Sequence, residues 1–151
     1  MIWTHRLFHA KALYKTFHKK HHNFRGTVFP SAEYANPVEV IIANQLPTIG
    51  LVIGLGCHPL VQATWLFLRI SQTYEVHSGY AFDKSFFGRI GVAACGAAFH
   101  DHHHTVNMGN FGAEHMDWLF GTMDFWVRDG GEEGYWKRHP LGVPSSVDRN
   151  K

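Results

Sequence analysis

Four of the five residues from His100 to His104 are histidines, with Asp101 the exception, inside the run AAFHDHHHTVNMGNFG (Ala97–Gly112). Neutral imidazole is the commonest metal-ligating side chain, so a cluster this dense poses a question of metal chemistry first. The chain carries 13 histidines, grouped at 5–9, 18–22 and 100–104, with single ones at 58, 77, 115 and 139. His5 and His9 read H-x-x-x-H; His18, His21 and His22 read H-x-x-H-H; His100, His103 and His104 repeat H-x-x-H-H; and His77 stands in Glu75-Val-His-Ser-Gly-Tyr80. On an α-helix, residues at i, i+3 and i+4 project together, so each group presents its imidazoles on one face. At about 100° per residue, His102 points roughly 200° from His100, away from that face. The same arithmetic puts His9 and His18 on opposite sides of one straight helix, so a bend near Ala10–Lys15 or two separate helices is required.

Counted by face, His5, His9, His18, His21, His22, His77, His100, His103 and His104 form the candidate ligand set. Nine imidazoles exceed the four ligands of one structural zinc and suit two metals with four or five each. Imidazole serves iron, zinc, copper and nickel alike, so donor type does not name the metal. Neutral ligands cancel no charge, and two divalent ions call for acids that orient ring N–H groups. Glu33, Glu75, Asp101 and Asp117 lie within or near the histidine groups and are candidates for that task.

Elements that position these groups are legible in outline. The 151 residues suffice for one domain. Residues from Met1 to about Arg25 read as basic and helical, with Phe29-Pro30 and Asn36-Pro37 as punctuation. The 23 residues Leu46–Leu68 contain no Lys, Arg, Asp or Glu, which meets the length of a membrane span. Pro47, His58, Pro59 and Gln62 break it, so two helices meeting near Gly56-Cys57-His58-Pro59 are expected, as a hairpin in the bilayer. A buried hairpin of a soluble protein is the alternative. The small-residue run IGVAACGAAF (Ile90–Phe99) suits close helix packing that delivers His100 inward. Past Phe125 the composition is polar and rich in Gly and Pro, as in an irregular solvated tail. A net charge of +2 excludes an electrostatic argument for nucleic acid. Cys57 and Cys95, alone in apolar surroundings, make no disulfide framework, and Met1–Leu7 lacks the apolar core of a secretory signal.

At the four histidine elements, in this order (HRLFH, HKKHH, VHSGY, HDHHH), the chain resembles the fatty acid hydroxylase/sterol desaturase superfamily of membrane oxygenases. AEYANPVE (Ala32–Glu39), and GNF followed by DWLFGT (Asp117–Thr122), look like segments of its sterol C-4 methyl oxidase branch. GCHPL (Gly56–Leu60) is instead similar to the cholesterol 25-hydroxylase branch. The resemblance covers roughly residues 3–123.

The resemblance implies an all-α fold: a membrane-embedded helical domain, here residues 1–125, with a histidine-rich cytosolic di-metal helical cap, followed by a polar tail at 126–151. It implies an endoplasmic reticulum membrane protein whose metal site faces the cytosol. Two irons, for which zinc can substitute, would activate O2 to hydroxylate or oxidise a C–H bond of a sterol or other lipid. Electrons would come from NAD(P)H through a cytochrome b5-type carrier. The ligand roles fall on His5, His9, His18, His21, His22, His77, His100, His103 and His104; the position of His102 is typically aromatic in sterol C-4 methyl oxidases. Glu75 and Asp101 remain the candidates to orient those ligands. Two departures stand out. Family members carry a further apolar helix pair before the first histidine box, whereas Met1–Thr4 alone precede His5 here, and some have a histidine where Ala81 stands. The first motivates the alternative of a truncated, non-catalytic metal-binding fragment or pseudoenzyme. A soluble zinc hydrolase would want H-E-x-x-H, which is absent.

Overall fold

A computed structural model describes residues 2–24, 26–80 and 96–139, and the described residues form an all-α fold of helices joined by turns and loops, with no strand among them. Ala81, Phe86, Phe87, the Ile90–Cys95 part of the small-residue run and the tail beyond His139 lie outside the described residues. Helix α1 (Ile2–Phe8) stops at His9-Ala10, and α2 (Lys11–Leu13) runs on as a π-helical stretch, Tyr14–His18. This is the break that the face arithmetic for His9 and His18 demands. A 3-10 turn, His21–Asn23, follows at once.

The long apolar region forms the expected hairpin. Its first arm, α3 (Pro37–Gly54), starts where the Asn36 side chain accepts a hydrogen bond from the Val38 N–H at 2.9 Å, with Pro37 in the first helical position. Most of this arm, Val40–Gly50, is π-helical and contains Pro47. A proline offers no N–H and its ring presses on the carbonyl four residues back, and the wider π-turn relieves that clash. Gly56 turns the chain at φ 63°, and His58 caps the second arm, α4 (Pro59–Val76), through the Leu60 N–H. The arms are tied where the Trp65 indole N–H donates to the Thr48 carbonyl at 2.9 Å.

The hairpin's apolar side chains face outward. Leu46, Leu51, Leu55, Leu60 and Phe67 are all more than half exposed, so the alternative of a hairpin buried in a soluble core does not describe these residues. Pro37–Gly54 is, among the described residues, the one helix long and apolar enough to cross a membrane, with mean hydropathy 1.4.

Helix α5 (Ala97–Val106) is buried over eight consecutive residues, Ala97 to His104, and ends at Asn107 in the left-handed conformation. Beyond it lie α6 (Glu114–Leu119), α7 (Asp124–Arg128) and α8 (Gly131–Arg138). Up to His139, then, the segment expected to be an irregular tail is largely helical. Its polar composition masks two anchors: Trp126 and Tyr135 are buried and pack with Ala98 and Phe99 beneath the histidine face of α5. Burying two aromatic side chains is worth several kcal/mol, enough to hold short helices that would not persist alone.

Candidate metal centre

All nine expected histidines converge, in two adjoining groups. His5, His9, His18, His22 and His103 form one; His21, His77, His100 and His104 form the other. Within each group the ligand nitrogens lie within 4.8 Å of one another. The groups touch through His22 and His104, whose ring centroids are 4.7 Å apart. The partition follows helical geometry. Pairs at i and i+4 (His5/His9, His18/His22, His100/His104) stay together, while the i+3 members His21 and His103 cross to the other group.

The ring nitrogens have assigned tasks. Nδ1 of His5 donates to the Phe111 carbonyl at 2.6 Å, Nδ1 of His103 to the Gly109 carbonyl at 2.6 Å, and Nδ1 of His77 to the Thr73 carbonyl at 2.8 Å. Nδ1 of His18 donates to the buried Glu39 carboxylate at 2.7 Å. A neutral imidazole that donates through one nitrogen presents a lone pair at the other. The Nε2 atoms of His5 and His18 therefore both point inward as acceptors, yet they face each other at 3.1 Å; the Nε2 atoms of His9 and His18 lie 2.9 Å apart and those of His100 and His77 3.0 Å. Lone pairs so close repel unless a cation lies between them. Bonds of about 2.1 Å to one metal ion give nitrogen–nitrogen edges of about 3.0–3.4 Å in octahedral or tetrahedral geometry. The donor set and its spacing thus fit a metal ion in each group.

Proton binding is disfavoured in the same place. Burial, reinforced by the neighbouring imidazoles, lowers His5 to about 3 and His9 to about 2, and burial lowers His18 and His77 to about 4. His21, His22, His100, His103 and His104 are likewise held well below the ordinary histidine value, chiefly by burial. Neutral imidazole is the form that ligates.

The Asp101 Oδ1 accepts from the Thr27 N–H at 2.8 Å and its Oδ2 from the Tyr135 hydroxyl at 3.4 Å, pinning the loop before α3 to α8. Glu75 sits in the last turn of α4, where its carbonyl accepts from the Ser78 hydroxyl, and Glu33 pairs with Tyr74. Asp117, fully buried, acts one step back from the ligands. Its carboxylate accepts from the N–H groups of Phe111 (2.8 Å) and Gly112 (2.7 Å), fixing the loop whose carbonyls orient His5 and His103. Gly109 in that loop has φ 69°, and a Cβ there would meet the Thr122 carbonyl at 2.6 Å. Glu39, which was not among the candidates, reaches the ring of His18. A carboxylate three residues into a helix that opens an apolar span was the signal, since ionisable groups there are costly without a task.

His102 stands apart, as its helical position requires. Its Nε2 pairs with Asp129 at 3.0 Å and its ring packs edge-on against Trp126. It fastens α5 to the end of α7.

A cavity of about 440 Å³ opens beside both groups. His5, His18, His21, His77, His100 and Glu39 form its metal-side wall; Ala43, Asn44, Pro47 and Thr48 of α3, and Trp65, Arg69, Gln72 and Val76 of α4, form the others.

A model of the fatty acid hydroxylase family matches residues 1–122. The chain belongs to the fatty acid hydroxylase family. It is 35% identical over 125 residues to methylsterol monooxygenase 2-2 of Arabidopsis thaliana, covering 80% of this chain and 46% of that protein. It is 37% identical to the very-long-chain aldehyde decarbonylase GL1-11 of Oryza sativa subsp. indica, with the same coverage. It is 38% identical to methylsterol monooxygenase 1 of Gallus gallus, over 78% of this chain and 40% of that one. The chain thus spans about half the length of the curated relatives it matches. No solved structure matches it. Within the fatty acid hydroxylase family, this chain's two histidine groups and the cavity between them and the hairpin form the candidate reaction centre.

Proposed function

We propose that this chain carries the reaction centre of a non-haem di-iron, O2-dependent oxygenase that hydroxylates or oxidises a C–H bond of a sterol or related lipid. The observation that carries this reading is the convergence of two groups of inward-facing imidazole nitrogens beside one mainly apolar cavity. The relatives named methylsterol monooxygenase support the substrate class. Iron is the working metal in this reading, with zinc able to occupy the same donors.

His5, His9, His18, His22 and His103 hold one ion, and His21, His77, His100 and His104 the other. When bound, the pair of irons supplies the O2 and redox chemistry. The protein's own contribution is positional. The loop carbonyls of Gly109 and Phe111, the Thr73 carbonyl and Glu39 fix the tautomer and aim of four ligands. Ala43, Pro47, Trp65 and Val76 enclose the apolar body of the lipid and keep water from the reacting carbon. The outward apolar side chains of the hairpin lie in a bilayer, and the histidine helices form a cap at its cytosolic surface, in the endoplasmic reticulum. Electrons arrive from NAD(P)H by way of a cytochrome b5-type carrier.

A second reading is favoured by the rice relative: a lipid aldehyde, rather than a methyl or methylene group, is the reacting end. Lipid profiling of a host deficient in sterol oxidation, after expression of this chain, separates the readings. Oxidised 4-methylsterols support the first, and loss of long-chain aldehydes the second. A lipid profile unchanged with metal-loaded protein in the membrane would leave the chain a non-catalytic metal-binding member of its family.

A further inference from the structure

The cavity has a polar seam whose purpose the metal site does not explain. Glu39, Asn44 and Thr48 all line it, and all stand on α3, whose exposed residues otherwise include the apolar Ile41, Ile42, Leu46 and Ile49. The π-helical winding from Val40 to Gly50 makes this seam. With more than four residues per turn, Glu39, Asn44 and Thr48 come into line, as they would not on an α-helix.

Glu39 is 96% buried, being 4% exposed, and only half of its carboxylate is accounted for. Oε1 accepts from the His18 ring at 2.7 Å and the Asn36 backbone N–H also acts on the carboxylate, while Oε2 makes no hydrogen bond of good geometry and its residue lines the cavity. A buried carboxylate oxygen without a donor costs more than an ordinary lost hydrogen bond. Nothing about orienting His18 requires Oε2 to stay open. An apolar lipid would leave it unsatisfied, whereas a lipid carrying a hydroxyl beside the reacting carbon would supply the missing donor.

We propose that Oε2 of Glu39 accepts a hydrogen bond from a hydroxyl group of the lipid substrate, making Glu39 a substrate-contacting specificity residue. The substrate class is then a hydroxylated lipid, held by its hydroxyl at Glu39 beside His18 of the first histidine group, so that a carbon a few bonds from the C–OH carbon is presented for oxidation. Asn44, next along the seam, offers a second polar contact to the same end of the lipid. This inference rests on the lipid-oxidation reading above, and its test is built to fail separately from that reading.

The experiment is equilibrium binding to the metal-loaded chain in lipid nanodiscs. The probes are two matched pairs: a 4,4-dimethylsterol and its 3-methyl ether, and a long-chain fatty alcohol and its methyl ether. An ether keeps the shape and the acceptor but has no proton to donate. Wild type is expected to prefer the hydroxyl form by about tenfold or more in the pair that fits the cavity, as for a hydrogen bond to a charged group. Glu39→Gln preserves an acceptor for His18 and turns the open position into a donor, so the preference should fall to within about twofold while metal content holds. A residue that merely oriented His18 would weaken both members of a pair equally. A hydroxyl preference confined to the fatty alcohol pair would overturn the sterol assignment and keep the inference. Wild type that binds hydroxyl and ether forms alike, or binds none of the four, overturns it, whether or not Glu39→Gln folds. So does a Glu39→Gln protein that keeps the wild-type preference.

Discussion

His5 and His18 face each other through Nε2 at 3.1 Å, and the opposite nitrogen of each ring is already committed as a donor, His5 to the Phe111 carbonyl and His18 to Glu39. Two lone pairs aimed at one point have no favourable arrangement without a cation between them. A metal ion between the two rings removes that repulsion, which histidine content alone would not reveal.

It also separates the histidines by role. His103→Ala and His104→Ala should each remove metal, from different groups, whereas His102→Ala should retain the full metal content and lose stability through its contacts with Asp129 and Trp126. The loss is expected at about 1–3 kcal/mol, read by chemical denaturation alongside elemental analysis. Metal loss in His102→Ala equal to that in His103→Ala would refute the partition.

The two ions should not be held equally. The group of His5, His9, His18, His22 and His103 has five donors, three of them fixed through Nδ1 by Phe111, Glu39 and Gly109. The other has four donors, of which His77 is fixed by Thr73, while Nδ1 of His21 and of His104 is buried without a partner. Outer partners are commonly worth 10–100-fold in metal affinity. Titration with a chelator should therefore release metal in two steps, and His77→Ala should abolish the earlier one. A single step removing both ions would argue against this asymmetry.

Asp117 and Asp101 are both buried acids, yet their loss should read out differently. Asp117→Asn frees the loop that aims His5 and His103, so metal affinity should fall by about tenfold or more along with stability. Asp101→Asn disturbs the Thr27 and Tyr135 contacts, so it should lower stability by about 1–3 kcal/mol while metal affinity changes little. Isothermal titration of a divalent ion into each folded variant checks this. Equal affinity losses in both would count against it.

Acid should destabilise the metal-free chain. The nine converging histidines have folded-state values below the ordinary 6.5, about 2 to 4 for His5, His9, His18 and His77. Between those values and 6.5 the unfolded chain binds more protons, so stability rises with pH and is lost as pH falls below 6.5. Urea midpoints measured at pH 5.5, 6.5 and 7.5 without metal should drop sharply only on the acid side. A midpoint that rises on acidification contradicts the burial of these rings.

How much of this was legible beforehand varies with the physics involved. Eight of the nine histidines follow from face arithmetic, as do the exclusion of His102 and the break between His9 and His18; His77, a lone histidine, follows from its VHSGY motif. The crossing of His21 and His103 does not, because a helical projection discards distance along the axis, where i+3 and i+4 part company. Glu39 was hidden by its ordinary place at a helix start, and its π-helical neighbours by a proline that reads as a simple break. The helices of Asp124–Arg128 and Gly131–Arg138 were hidden by composition, since Trp126 and Tyr135 are few among many polar residues.

The central claim is a two-metal centre, and the measurement nearest to it is metal stoichiometry. The full chain, loaded anaerobically with Fe(II), freed of loosely bound ions and assayed by elemental analysis against a protein concentration from amino-acid analysis, should hold two irons per chain. One iron per chain, or none, in protein whose circular dichroism shows the helices intact would contradict it.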